Sequence, residues 1–263
     1  MVPSKLQNTP FLGVSALLFA VSVAITIVWS RSMSAMGEMP MTGDWTMSMA
    51  WMRMPGQTWP SAAASFLGMW IVMMVAMMLP SFVPMLLRYR YSVAKTSETR
   101  LGRLTALVGI GYFFVWTVLG IAVFPTGVVL VAIEMKHPAL ARSAPSAAGV
   151  VVLIAGLIQL TAWKARHLMC CREAPGRGCA LLPDAGTAWR HGLRLGFHCS
   201  QCCGGLIAIL LVVGIMDLRA MAVVAAGITV ERLVPAGERV AQVIGTVMIV
   251  AGLVLIGRTF AAA

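Results

Sequence analysis

Seven apolar segments follow one another along the chain, and most of them are long enough to cross the hydrocarbon core of a lipid bilayer. A spanning helix needs about 20 predominantly apolar residues. The segments run over about 11–29, 62–87, 104–133, 146–163, 196–216, 218–230 and 240–256. Six of them predict complete spans, whereas the sixth is short and is either a partial span or a tightly packed hairpin partner of the fifth. The sequence therefore predicts an all-α, polytopic membrane helix bundle of about seven spans.

The composition excludes a soluble domain. Hydrophobic residues make up 59% of the 263 residues and charged residues 11%, whereas soluble domains carry about 25% charged residues. A net charge of +11 would suit nucleic acid, but the basic residues lie in short loops between apolar segments, where they set orientation in a membrane. We therefore expect the lipid bilayer as a partner and no nucleic acid. No low-complexity linker divides the chain, so residues 1–263 are predicted to form a single integral membrane domain.

The Lys and Arg residues are distributed unequally between the two sides of the predicted bundle. With the N-terminus inside, the inner segments hold fourteen of the 20 and the outer segments six. The excess predicts a cytoplasmic N-terminus and a periplasmic C-terminus in the inner membrane of a bacterium. Lys5 and the small residues after the first segment leave two alternatives for that segment, a retained anchor or a cleaved signal peptide. The rest of the topology is the same in both cases.

The outer loop over residues 30–61 is rich in methionine. Eight of the chain's 20 methionines lie there, and the loop contains no Leu, Ile or Val over residues 33–60. Selection for thioether sulfur explains this bias better than packing does, and thioethers select Cu(I). The alternative is an apolar loop that packs on the bundle, with its tryptophans at the membrane interface. The candidate copper ligands are Met33, Met36, Met39, Met41, Met47 and Met49.

The second apolar segment continues the methionine pattern. Met73 and Met77 are four residues apart, as are Met74 and Met78, so each pair lies on one stripe of a helix. Ordinary packing explains such pairs in isolation, but beside the outer loop they predict a sulfur path leading inward through Met73 and Met77. Two prolines, at positions 80 and 84, are expected to kink or end this helix near the inner face.

All six cysteines lie between positions 170 and 203, in or beside a Cys/His/Arg-rich inner loop predicted for residues 164–198. A reducing compartment favours metal or redox chemistry over structural disulfides. Cys199, Cys202 and Cys203 fall within one arc of a helix, whose N-terminus is expected to stabilise thiolates. Three thiolates suit Cu(I), or Zn(II) with a fourth ligand. The alternative is that these cysteines only fill space in the core.

Three further candidate ligands follow the fourth segment: His167, Cys170 and Cys171. Because adjacent cysteines rarely chelate one ion together, we expect only one of Cys170 and Cys171 to be a ligand. His198 points about 100° away from Cys199 on a helix. It is as well explained by a capping or headgroup contact as by metal binding.

Three stretches of the sequence resemble one known family. They are MMVAMMLPSFVPML from Met73, QLTAWK from Gln159 and RHGLRLGFHCSQCC from Arg190. The chain resembles, over about residues 33–250, the bacterial predicted metal-binding integral membrane proteins, a domain of unknown function sometimes labelled copper chaperone. The resemblance implies copper handling. The family tends to carry cysteine where this chain has His167, and histidine where it has Cys170, so the resemblance leaves open which of the two binds.

These observations predict a copper-handling membrane protein, either a Cu(I) transporter or a metallochaperone. Copper would be captured by the outer thioethers and passed to Cys199, Cys202 and Cys203, in exchange with a copper-accepting or copper-donating protein. This function is not enzymatic. The alternatives are a membrane thiol oxidoreductase that uses Cys199 and Cys202, and a structural or assembly subunit. The inward direction follows from ligand strength, since thiolates hold Cu(I) more tightly than thioethers, and the reverse direction is the alternative if a stronger acceptor lies outside.

Overall fold

The computed structural model describes residues 8–35, 39–41, 45–47, 51–53, 56–93, 97–173 and 182–261. In these residues the chain forms eight helices: α1 Thr9–Ala35, α2 Trp59–Ser92, α3 Glu98–Lys136, α4 Pro138–Gln159, α5 Ala162–Glu173, α6 Ala185–Val213, α7 Leu218–Leu233 and α8 Gly237–Ala261. Two three-residue strands, β1 Met39–Met41 and β2 Trp45–Met47, pair as an antiparallel hairpin. Apart from this hairpin the described architecture is helical, so the predicted fold class is confirmed.

Six of the helices, α1, α2, α3, α4, α6 and α8, are long and apolar enough to cross a membrane. Their mean hydropathy lies between 1.6 and 2.5, and they correspond to the six segments predicted as complete spans. A multi-pass membrane protein is therefore confirmed. Many of their large apolar side chains are exposed, as expected of helices whose outer faces contact lipid.

Helix α7 corresponds to the short sixth segment, and it returns along the length of the bundle. Before its start, the carbonyl of Met216 accepts a hydrogen bond of 2.7 Å from Ser30 near the end of α1. At its other end, Arg232 contacts Ser81 of α2, and Arg172 contacts the backbone that follows α7. Its 16 residues span about 24 Å at 1.5 Å per residue. Seven helices therefore run along the bundle, and α7 covers most of its depth.

The contacts between helices define two ends of the bundle. At the end that we call the Asn8 end, Asn8 bonds to Tyr91 and Arg90 of α2, and Arg100 of α3 bonds to the carbonyl of Pro183 before α6. At the opposite end, which we call the hairpin end, Ser146 of α4 bonds to Thr259 of α8 at 2.9 Å. Helix α1 therefore begins at the Asn8 end and α8 finishes at the hairpin end. An odd number of helices crossing the bundle requires this arrangement.

Glycines allow two pairs of helices to pack closely. Between α4 and α8, a Cβ atom at Gly156 would lie 2.8 Å from the carbonyl oxygen of Gly245, and one at Gly252 would lie 2.8 Å from the backbone nitrogen of Leu153. Between α3 and α6, a Cβ at Gly196 would lie 2.7 Å from the carbonyl oxygen of Tyr112. Small residues at such crossings let membrane helices approach until their backbones touch. The second crossing brings the cysteines of α6 against α3.

The helices differ from the sequence-based boundaries in two places. Helix α2 continues through both prolines to Ser92, so of the two expected outcomes, a kink or an end, they do not end it. The inner region 164–198, predicted as a loop, contains most of α5 and the beginning of α6. Helix α6 begins early because Asp184 caps it, accepting hydrogen bonds from the backbone nitrogen and hydroxyl of Thr187 at 2.9 and 2.6 Å. These hydrogen bonds hold the pKa of Asp184 below its usual value.

Candidate metal centre

Four buried cysteines form the centre of the candidate site. Cys199, Cys202 and Cys203 of α6 are at most 2% exposed, so the arc predicted for them faces the interior. Cys171 of α5 joins them, with its sulfur 3.8 Å from that of Cys202. The sulfurs of Cys202 and Cys203 are 3.5 Å apart. We call these four residues the thiol cluster. Cys170 is exposed, so the adjacent pair contributes a single residue to the cluster.

Cys199 lies at the side of the thiol cluster that faces α2 and α3. Its sulfur is 2.8 Å from the hydroxyl of Tyr112 and 3.9 Å from the sulfur of Met78. The sulfur stripe that reaches the cluster therefore runs through Met74 and Met78, both fully buried. Met73 and Met77, which were proposed for this role, are also buried in the core. Tyr112 was not identified from the sequence.

The guanidinium of Arg232 enters the thiol cluster. Its Nη2 atom lies 3.3 Å from the sulfur of Cys202, 3.4 Å from that of Cys203 and 3.7 Å from that of Cys171, and Nη1 donates to Ser81 at 3.2 Å. The side chain is 4% exposed. A guanidinium stays protonated in proteins, and a buried positive charge requires a negative partner. The position of Arg232 therefore favours negative charge on the cluster sulfurs.

The source of thiolate stabilisation differs from the one expected from the sequence. Cys199 was expected near a helix N-terminus, but α6 begins at Ala185, so the cysteines lie in the middle of the helix. The helix dipole acts mainly within the first turn and does not reach them. Arg232 takes its place as the nearest positive charge. Arg232 follows the apolar segment 218–230 and is counted with the loop arginines, so no signal in the sequence indicates that it is buried.

A buried ion pair lies directly beside the thiol cluster. Lys164 of α5 and Glu231 of α7 are 2.8 Å apart, and both side chains are 1% exposed. Gln159 of α4 donates to the other oxygen of Glu231 at 2.7 Å, and Lys164 also donates to the carbonyl of Cys202. A buried pair of this kind is maintained only if its remaining hydrogen-bonding groups are satisfied. The network fixes the ends of α4, α5 and α7 around the cysteine turn of α6.

Two histidines form a second contact between α5 and α6. The Nδ1 atoms of His167 and His198 are 3.1 Å apart, and the ring of Trp163 packs edge-on against His167. Each histidine precedes a cluster cysteine by one helical turn, since Cys171 and Cys202 follow four residues later. The partner of His198 is His167. The structure thus brings His167 next to the thiol cluster without making it part of the cluster.

The methionines of the outer loop are only partly described. Met33 is half-buried in the last turn of α1. Met39 and Met47 are direct partners in the register of the hairpin, and Met41 is paired with Trp45. Met36 and Met49 lie outside the described residues. Copper binding by this loop stays a prediction.

The described side chains do not form a metal site in their present arrangement. Across residues 8–261, apart from the ranges left undescribed, no group of three or more His, Cys, Asp or Glu residues is placed to hold a metal ion. The guanidinium of Arg232 lies among the sulfurs where an ion would bind. The donor set nevertheless suits a soft cation, because it consists of thiols with a neighbouring thioether. Arg232 lies against these sulfurs as a positive charge, and a metal ion bound by them would have to be accommodated beside it.

The fold and this centre define a class: a multi-pass membrane protein whose helices enclose a sulfur-rich site with its own buried arginine. The chain belongs to the PpoB2 family, described as copper chaperone, whose sequence model matches residues 67–255. The match includes every residue of the thiol cluster, Arg232 and the Lys164–Glu231 pair, and it confirms the family resemblance. No curated protein and no solved structure matches the chain.

Proposed function

We propose that this protein binds Cu(I) at the thiol cluster within the membrane and exchanges it with a partner protein, as a copper transporter or a membrane metallochaperone. The observation that carries the proposal is a cluster of four buried cysteines, three of which contact Arg232. The family description supports the same metal. Copper is the cargo here and not a resident cofactor.

The charges around the thiol cluster favour a monovalent ion. Lys164 and Glu231 neutralise each other, so Arg232 supplies one uncompensated positive charge. Two thiolates with one Cu(I) carry a net charge of −1, which Arg232 balances. The same thiolates with Zn(II) would be neutral and would leave Arg232 as an uncompensated buried charge. Zn(II) bound by three thiolates would balance Arg232, but it requires a fourth ligand, and thioethers such as Met78 select Cu(I).

The entry route that we propose runs from the hairpin end. Copper captured by the methionines of the outer loop would move along the buried stripe of Met74 and Met78 to Cys199, since Met78 contacts that cysteine at 3.9 Å. The direction follows ligand strength, because thiolates hold Cu(I) more tightly than thioethers. We place the Asn8 end in the cytoplasm of a bacterium and the hairpin end in the periplasm, on the basis of the excess of Lys and Arg near the Asn8 end.

Burial of the cysteines argues against the thiol oxidoreductase alternative. Disulfide exchange requires that a substrate reach the attacking sulfur, whereas Cys199 and Cys202 are both enclosed by helices. The sulfur of Cys199 is engaged with Tyr112 and Met78. We therefore keep copper handling as the single proposed function and treat disulfide chemistry as an outcome of the test.

The first experiment is a measurement of bound copper. The purified full chain is loaded with excess Cu(I) under anaerobic, reducing conditions, separated from unbound metal and analysed by mass spectrometry. We expect about one copper per chain, and a loss of most of it in the double variant Cys202→Ser, Cys203→Ser, because two of the four cluster sulfurs are removed. Cys170→Ser is the matched control, since this exposed cysteine lies outside the cluster.

Unchanged copper in the double variant would contradict the proposed site. Absence of copper from the wild type, together with a disulfide between Cys199 and Cys202 after mild oxidation, would favour the thiol oxidoreductase instead. The helix content of each variant, measured by circular dichroism, shows whether a loss of copper reflects loss of the fold.

A further inference from the structure

A cavity of about 800 Å³ lies next to the thiol cluster at the Asn8 end of the bundle. Its walls come from the last turns of α2, from α5, and from the region where α7 ends and α8 begins. Arg232 lines this cavity and also contacts the sulfurs of Cys202 and Cys203. Arg232 therefore lies both at the cavity and at the cysteines.

The lining of the cavity is positively charged. The described lining contains three guanidinium groups and one carboxylate. They belong to Arg88, Arg172 and Arg232, and to Glu238. Arg172 is held in place by hydrogen bonds to the carbonyls of Val234 and Pro235. Much of the remaining lining is apolar, and low polarity strengthens the attraction between these guanidinium groups and an anion. The cavity thus has the charge and the volume to select a small anion.

Arg232 supplies a second sign of a missing ligand. Its Nε atom is buried and has no hydrogen-bond partner among the described residues, although the side chain is 4% exposed. Buried donors in folded proteins are nearly always paired. A ligand in the cavity could satisfy this donor once the side chain of Arg232 turns toward the cavity. Such a ligand would be close to the cysteine sulfurs, because Arg232 contacts both the cavity and the sulfurs.

We propose that the cavity binds a small anionic thiol, such as a thiol-bearing peptide with free carboxylates, and that this thiol exchanges Cu(I) with the cluster. This inference rests on the proposed function. Carboxylates form paired hydrogen bonds with arginine, and a thiol is the group that can replace a cysteine on a soft metal ion. Arg88 and Arg172 hold the carboxylates, and the thiol reaches the cluster when Arg232 moves aside.

The exchange is a ligand substitution without electron transfer. The thiol of the ligand loses its proton and forms a bond to Cu(I), one copper–cysteine bond breaks, and the released cysteine takes up the proton. Copper stays Cu(I) throughout, and no oxidant or reductant is consumed. A second substitution of the same kind frees the metal from the protein. The cavity would therefore be the route by which copper leaves or enters the cluster at the Asn8 end.

The test compares two thiols that differ in charge. The copper-loaded full chain in phosphatidylcholine nanodiscs is mixed with reduced glutathione or with its diethyl ester, and copper remaining on the protein is followed over time. We expect release with glutathione at least tenfold faster than with the ester at equal thiolate concentration. In Arg88→Gln the ratio is expected to fall at least threefold, whereas Arg103→Gln, which removes an exposed charge of α3 outside the cavity, keeps it. Equal rates for the two thiols in the wild type would refute the proposal.

A second measurement does not depend on copper. S-methylglutathione keeps the carboxylates but has no free thiol, and we expect it to bind the copper-free protein in calorimetry, more weakly in Arg88→Gln. If S-methylglutathione does not bind to a protein that holds copper normally, the cavity is not the proposed anion site. The proposed function would then stay intact. Absence of copper, with S-methylglutathione still bound, would refute the proposed function and the exchange step together. If phosphatidylglycerol nanodiscs abolish the binding, the occupant is a lipid headgroup and the proposal is wrong.

Discussion

At the scale of single residues, three buried charges lie at the thiol cluster, and one of them, Arg232, contacts three of its sulfurs. Arg232 and Lys164 are positive and Glu231 is negative, and each of the three is at most 4% exposed. Burying a charge within a membrane protein is costly unless it is paired. The excess positive charge is on Arg232, directly against the sulfurs of Cys202 and Cys203. The net charge of the side chains is therefore adapted to an anionic sulfur centre.

Replacement of Arg232 tests this charge balance. We expect Arg232→Met to weaken Cu(I) binding at least tenfold, or about 1.4 kcal/mol, because a complex of two thiolates with Cu(I) loses its counter-charge. The measurement is competition with a chromophoric Cu(I) chelator. Arg219→Met is the matched control, since Arg219 is exposed on the same helix and is expected to leave the affinity unchanged. Equal affinities in the two variants would show that Arg232 does not balance the metal site.

The sequence predicted that the cysteines of the centre lie together, but it did not predict which residues of other helices contact them. The spacing of Cys199, Cys202 and Cys203 depends only on helical geometry, so their common face could be predicted. The partners of these residues come from other helices, and no local pattern connects Arg232 or Tyr112 to them. Met78 was recognised as part of a stripe, but the rotation of α2 that turns it toward Cys199 is set by packing against α1, α3 and α7.

At the scale of helices, the glycines between α4 and α8 determine how closely these two elements pack. Gly156, Gly245 and Gly252 each lie within van der Waals reach of backbone atoms of the opposite helix. This pair of helices carries Gln159 at one end, and Gln159 holds Glu231 beside the thiol cluster. Close packing of α4 on α8 therefore contributes to the position of the charged network.

Adding one methyl group to α8 tests this packing. We expect Gly252→Ala to destabilise the protein by about 1–3 kcal/mol, because the new Cβ would lie 2.8 Å from the backbone of Leu153 and the helices must separate. The control is Gly257→Ala on the same helix, where nothing lies within 4 Å. It is expected to be neutral or slightly stabilising, because alanine favours helix over glycine. Thermal unfolding of both proteins in detergent is the measurement, and equal melting temperatures would contradict the prediction.

Helix positions could be predicted from hydropathy, whereas their boundaries depended on polar residues. The fourth segment was expected to continue to about Trp163, because apolar residues continue there. The chain instead ends α4 at Gln159, and the hydroxyl of Thr161 accepts a hydrogen bond of 3.3 Å from the backbone of Lys164 at the start of α5. Such caps involve one or two side chains, and an average over 20 residues does not detect them.

At the scale of the whole molecule, seven helices along the bundle place the start of α1 and the end of α8 at opposite ends. The charge asymmetry predicts the Asn8 end in the cytoplasm, and the relative directions of the helices are those that the seven-segment prediction requires. The antiparallel return of α7 could not be concluded from hydropathy, because 16 residues are fewer than a complete span needs. The hairpin of the outer loop also had no signal in the sequence beyond its prolines and glycines.

Reporter fusions test the topology. We expect alkaline phosphatase to be active when it is fused after Ala261 and inactive when it is fused after Pro235, since the chain crosses the membrane between the two sites through α8. Green fluorescent protein at the same positions is expected to give the opposite pattern, because it becomes fluorescent in the cytoplasm. An inactive phosphatase after Ala261 would mean that α7 does not cross the membrane or that the bundle has the reverse orientation.

The order of residues along the chain has a consequence for biosynthesis. All four cysteines of the cluster precede Arg232, and the last of them, Cys203, is separated from it by the rest of α6 and nearly all of α7. A nascent chain that has inserted its helices only as far as α6 therefore carries the thiols in the membrane without the cation that balances them. The centre is completed only when α7 folds back against α6, so a ribosome that stalls before α7 leaves exposed thiols that the finished protein never presents.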